Sequence, residues 1–271
     1  MPRRALSPIR ALLAASLLLG LPAAADAQTR AEAAGPSEAW NDLAAALFPG
    51  RAIADAGAMI AIDAPFRAHD AATVPIEIAI APPEGRSVER FTIVIDENPA
   101  PVAAQIDVGP GLGRDVALST RVRVDAYSAI RVVAELDDGS VAQSGVFVRA
   151  SGGCAAPGMK DADAALAAAG QMRLRVFSGP EPEAQLMIRH PNNSGFQVDQ
   201  VSLLHIPPWF IDLIEVRQGD ELVMRVSGGI SLSEDPSLRF RYVPNGADAF
   251  AVRVEDTERG VFAASFPSAG S

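Results

Sequence analysis

The chain has 271 residues, 49% of them hydrophobic and 21% charged, and a formal net charge of −10 at pH 7. That acidity excludes nucleic acid as a partner, because the phosphate backbone repels it. A single cysteine excludes a disulfide within the chain, and three scattered histidines give no paired metal-ligand spacing.

The N-terminus reads as a leader. Arg3, Arg4 and Arg10 precede an apolar run over residues 11–21, and Ala25-Asp26-Ala27 supplies small residues where a signal peptidase cuts. Residues 1–27 are therefore expected to be a cleavable signal peptide and the rest to be exported. The run is too short to span a bilayer, and no later stretch is long and apolar enough to do so. Ser37 can cap a short helix in which Trp40, Leu43, Ala44 and Leu47 recur at helical spacing before Pro49-Gly50 ends it. Trp40 is expected to pack on the first domain.

From Val74 the period becomes two. Val74, Ile76, Ile78 and Ile80 alternate with polar or small residues, as do Phe91, Ile93 and Ile95, then Ala104, Ile106 and Val108, then Val122 and Val124. Residues 130–136 and 141–148 flank Asp137-Asp138-Gly139-Ser140, a hairpin signal. Residues 157–171 break the pattern and are expected to be a solvated linker, with an alanine-rich stretch over 163–169 able to form two helical turns. Alternation resumes over 172–177, and 201–206 is a further apolar stretch. Gln218-Gly219-Asp220 turns a second hairpin, and strands follow near 238–242, 250–254 and 260–262. No helix of crossover length lies between the strands, so the expected fold is all-β: two immunoglobulin-like antiparallel β-sandwiches with a short N-terminal helix.

Residues 151–158 read Ser-Gly-Gly-Cys-Ala-Ala-Pro-Gly and hold the only cysteine. Exported proteins usually pair their cysteines, so a lone thiol is free, joined to another molecule, or modified. Gly152, Gly153, Ala155 and Ala156 are small and read as a flexible arm that presents Cys154 to a partner. The other reading is a linker whose cysteine is incidental. No Gly-x-Ser-x-Gly elbow, phosphate loop or haem-attachment motif is present, so an enzyme with its own catalytic machinery is the weaker reading and no cofactor is expected.

The order of several short segments resembles the SoxY and SoxZ families of sulfur-oxidation carriers, fused in one chain. Residues 37–156 resemble SoxY through Phe91-Thr92-Ile93-Val94-Ile95-Asp96-Glu97-Asn98-Pro99-Ala100-Pro101, Thr120-Arg121-Val122-Arg123-Val124 and Gly152-Gly153-Cys154. Residues 172–267 resemble SoxZ through the stretch 190–195, Ile206-Pro207-Pro208-Trp209-Phe210-Ile211 and Ser231-Leu232-Ser233-Glu234-Asp235-Pro236. The match is most similar to fused carriers associated with quinoprotein dehydrogenases. The resemblance implies two sandwiches packed on each other in the periplasm, a non-catalytic role, and sulfur intermediates held covalently on Cys154. The implied partners are a c-type cytochrome and other sulfur-oxidation enzymes, or a quinoprotein dehydrogenase system; a non-catalytic binding module of such a system is the alternative. Ala155 and Ala156 replace two glycines of the family's Gly-Gly-Cys-Gly-Gly, and a whole domain follows, so the segment is tethered at both ends.

Overall fold

The structure is a computed structural model that describes residues 34–157 and 162–268. The expected leader, residues 1–27, lies outside the described residues, as do 158–161 of the expected linker. The first helix, α1 (Glu38–Leu47), starts where Ser37 Oγ accepts a hydrogen bond from the Trp40 amide at 3.0 Å. As expected, Trp40 packs on the first half, against Phe48, Val94, Val133 and Val141.

Fifteen strands follow among the described residues. The first half supplies β1 (Ile53–Asp55), β2 (Ile60–Asp63), β3 (Val74–Ile80), β4 (Val88–Ile95), β5 (Val102–Val108), β6 (Val116–Val122), β7 (Ser128–Leu136) and β8 (Val141–Val148). The second supplies β9 (Met172–Phe177), β10 (Glu183–Ile188), β11 (Ile211–Gln218), β12 (Glu221–Gly228), β13 (Ser237–Arg241), β14 (Ala249–Asp256) and β15 (Val261–Pro267). Alternation fixes which face of each strand is buried. In β3, Val74, Ile76, Ile78 and Ile80 point inward while Pro75, Glu77 and Ala79 face out. No described helix is long and apolar enough to cross a membrane.

The fold is all-β with a short N-terminal helix, and its strands form two layers. One sheet runs β1-β8-β7-β4-β5-β12-β11-β14-β15 and the other β2-β3-β6-β13-β10-β9. Each half contributes a sandwich, but the halves meet edge to edge, so both layers pass through both halves. At the seam β5 pairs antiparallel with β12, placing Ile106 opposite Val226, and β6 pairs with β13, placing Leu118 opposite Phe240. The pairing removes edges that would otherwise leave a row of peptide groups unpaired. One apolar core runs across it, from Ile76, Phe91 and Ile106 to Ile214, Phe240 and Phe250.

Two local features depart from the sequence pattern, and a third, a helix in the alanine-rich stretch, follows it. The short β1 runs parallel to β8, with Ile53 opposite Val141; three residues leave too little periodicity to read. Helix α2 (Ala162–Ala168) occupies part of the expected linker. The apolar stretch 201–206 is no strand but a surface loop in which Val201, Leu203 and Leu204 are 93%, 75% and 69% exposed.

Strand β7 is buried on both faces because α1 covers its outer side. Arg131 lies there, beneath Trp40 at 4.7 Å from the ring centre, and its Nε donates to both oxygens of Asp96 at 3.0 and 2.9 Å. Burial pushes the Asp96 carboxyl above its usual range, against the opposing pull of Arg131.

A shared core makes the two halves one cooperative unit. Fluorescence of Trp40 in the first half and Trp209 in the second should report coincident unfolding transitions. Ile106→Ala, which opens a cavity at the seam, should lower both together by about 2–5 kcal/mol.

Candidate functional site: a thiol held at the seam

After β8 the chain turns across the end of the seam. The Arg149 amide donates to Phe66 O at 2.8 Å, and Gly152, at φ +76°, donates to Asp125 O at 2.7 Å. The Gly153 amide donates to Val124 O at 3.1 Å. A Cβ on Gly153 would lie 2.2 Å from Ala71 O and 2.6 Å from Val124 O, so only glycine fits there. The Cys154 amide donates to Asp125 Oδ1 at 3.0 Å.

The second half closes over the same segment. Ser194 Oγ donates to Cys154 O, and Gln197 Nε2 donates to Ala156 O at 3.1 Å. Cys154 is therefore 0% exposed. This corrects the expected flexible arm. Gly152 and Gly153 do not loosen the backbone; Gly152 supplies a left-handed turn and Gly153 permits close approach to two carbonyls. Ala155 is exposed and Ala156 half-buried, but the segment is tied at both ends and held by both halves.

Around the segment lies a polar network that the sequence pattern did not reveal. Asn98 Nδ2 donates to Arg123 O at 2.7 Å and to Ser231 Oγ at 2.9 Å, while its Oδ1 accepts from the Asp125 amide at 2.8 Å. Asn98 thus orients Asp125, which holds Cys154. From the other half, Asn192 Nδ2 donates to Leu232 O, and its Oδ1 accepts from the Ile211 amide. Both asparagines sit in stretches that read from sequence as polar turns; nothing in their spacing marks them as buried. Their side chains carry backbone bonds that the turns leave open.

Of the three histidines, His69 and His205 are exposed and His190 is buried beside Trp209 and Asp256. His190 Nδ1 accepts from the Asn192 amide at 3.1 Å, which leaves the proton on Nε2, 3.4 Å from Asp256 Oδ2. Burial lowers its pKa, so it is a neutral structural side chain.

Burial also governs the thiol. Desolvation, with a contribution from the Asp125 charge, pushes Cys154 up to about 12, while the nearby Arg123 charge pulls the other way. The closed thiol is protonated and unreactive at neutral pH.

The fold and site define a two-layer β protein whose first half ends in a lone cysteine buried against the second. The SoxY family (sulfur oxidation protein SoxY) matches residues 44–154, ending on the cysteine itself. The SoxZ family (sulphur oxidation protein SoxZ) matches residues 175–267. The chain belongs to these families as a fusion of the two: it is a non-catalytic sulfur-oxidation carrier protein. No curated protein matches the chain. Among solved structures, it is similar to the sulfur carrier protein SoxY from Chlorobium limicola f thiosulfatophilum, at 25% identity and a TM-score of 0.34, over 42% of this chain and 97% of that one. It is also similar to superoxide reductase (neelaredoxin) from Ignicoccus hospitalis, at 11% identity and a TM-score of 0.28, over 42% of this chain and 98% of that one.

Two measurements check the closed site. At neutral pH, iodoacetamide should alkylate Cys154 at least about a hundredfold more slowly in the folded protein than in urea, because burial keeps the thiol protonated. Gly153→Ala, whose Cβ has no room, should dislodge the segment and speed alkylation of the folded protein at least about tenfold.

Proposed function

We propose that the chain is a periplasmic carrier that holds sulfur intermediates covalently on Cys154 and presents them to partner redox enzymes. The observation that supports this most is positional: the only cysteine closes the SoxY match and is gripped by side chains of the SoxZ half. In this reading residues 1–27 are the export leader. Residues 37–156 form the SoxY-like part, 157–171 the linker, and 172–267 the SoxZ-like part.

The closed segment is the resting state of the carrier. Three side chains, Asp125, Ser194 and Gln197, hold the backbone over residues 154–156. Hydrogen bonds of this kind contribute about 1 kcal/mol each between neutral groups and about 2 kcal/mol to a carboxylate, so a partner's binding energy suffices to release the segment. Once in water, the sulfur escapes the desolvation that keeps it protonated, and its thiolate fraction rises. The partners are a c-type cytochrome and other sulfur-oxidation enzymes, or the redox chain of a quinoprotein dehydrogenase.

The burial of Cys154 favours a second reading, in which the thiol is a packing group and the chain is a non-catalytic accessory module of a quinoprotein dehydrogenase system. Cys154→Ser separates the two. In the carrier reading, intact mass of the wild type purified without reductant from its own periplasm shows a sulfur adduct. The variant shows none and supports no partner-dependent sulfur oxidation. Full turnover with the variant contradicts the carrier reading.

A further inference from the structure

We propose that Arg123 is a binding site for an anionic sulfur group carried on Cys154, such as a thiosulfonate or a persulfide anion. The inference rests on the carrier reading and assigns the residue that would recognise the cargo.

Arg123 follows β6 and is 1% exposed. Its Nη1 donates to Gly153 O at 3.2 Å and its Nη2 to Asn192 O at 3.4 Å, both long bonds to neutral carbonyls. Its Nε is buried without any partner. No described carboxylate lies within ion-pair distance of it; Asp70 and Glu234 act on it only through space. Arg131, equally buried in the same chain, shows the contrast: its Nε engages both oxygens of Asp96. A buried guanidinium without a counter-charge in contact is costly.

Arg123 lies against the residue preceding Cys154, and each group shifts the ionisation of the other. A protonated thiol offers little to a guanidinium. An oxidised sulfur group supplies a negative charge and several acceptor oxygens or sulfurs, which a planar fork of N–H donors binds well. Asp125, on the other side of the cysteine amide, opposes an anion there, so Arg123 must outweigh it.

The test uses the protein alone. Tetrathionate loads the single cysteine: the thiolate attacks an inner sulfur, the central S–S bond breaks, and thiosulfate leaves with the electron pair. The Cys154 sulfur then carries –S–SO₃⁻; the thiol is oxidised, tetrathionate is reduced, and the thiol proton passes to buffer. Methyl methanethiosulfonate installs a neutral –S–CH₃ in the same way, with methanesulfinate leaving. Thermal midpoints are compared for the two adducts in wild type, Arg123→Gln and Arg123→Lys.

The wild-type anionic adduct should melt about 3 °C or more above the neutral one. That gap should vanish or reverse in Arg123→Gln and survive in part in Arg123→Lys. An anionic adduct that melts at or below the neutral one in wild type overturns the proposal, as does a gap that persists in Arg123→Gln. If the glutamine variant does not fold, the wild-type order and its change in the lysine variant decide. Loading by reagent needs no partner enzyme, so failure here leaves the carrier reading standing. Equally, a cysteine never loaded by a partner leaves this comparison readable.

Discussion

Pairing of β5 with β12 and of β6 with β13 is the constraint from which the rest follows. It turns two sandwiches into one body with two continuous layers and a common core. It also brings the end of the first half, where Cys154 lies, against Ser194 and Gln197 of the second. Without that seam the cysteine segment would have only its own half to pack on, and the thiol would face water.

Burial at the seam has two electrostatic consequences that pull against each other. The sulfur is desolvated and held protonated, which keeps a lone thiol unreactive. The same desolvation strands the Arg123 guanidinium beside it. A site that is hostile to a thiolate in the empty state yet holds an unpaired cation is suited to a sulfur atom whose charge changes when it is loaded. The bonds that keep it closed are two backbone pairs, at Gly152 and Gly153, and a handful of polar side chains, so closure is specific without being strong.

Much of the fold was legible in the sequence because alternation is a direct physical record of which face meets the core. Val74, Ile76, Ile78 and Ile80 could be placed inward from their spacing alone, and the Asp137–Ser140 turn fixed a hairpin. The edge-to-edge junction was not legible, since a strand paired on both sides and one at an edge carry the same alternation. The cysteine was found from sequence, but its environment was not. Gly152-Gly153 reads as freedom, whereas the φ of Gly152 and the carbonyls packed on Gly153 make it the reason the segment docks. Asn98 and Arg123 lie in segments that resemble SoxY, but their burial could not be read, because a charged or amide residue near a turn is ordinarily solvated; only tertiary packing buries them.

The most direct test of a clamped cysteine is amide hydrogen exchange across residues 151–157 in the reduced protein. A segment whose amides bond to Asp125 and Val124 predicts that Gly152, Gly153 and Cys154 exchange at least about tenfold more slowly than an unstructured peptide. Exchange at the rate of an unstructured peptide would contradict it.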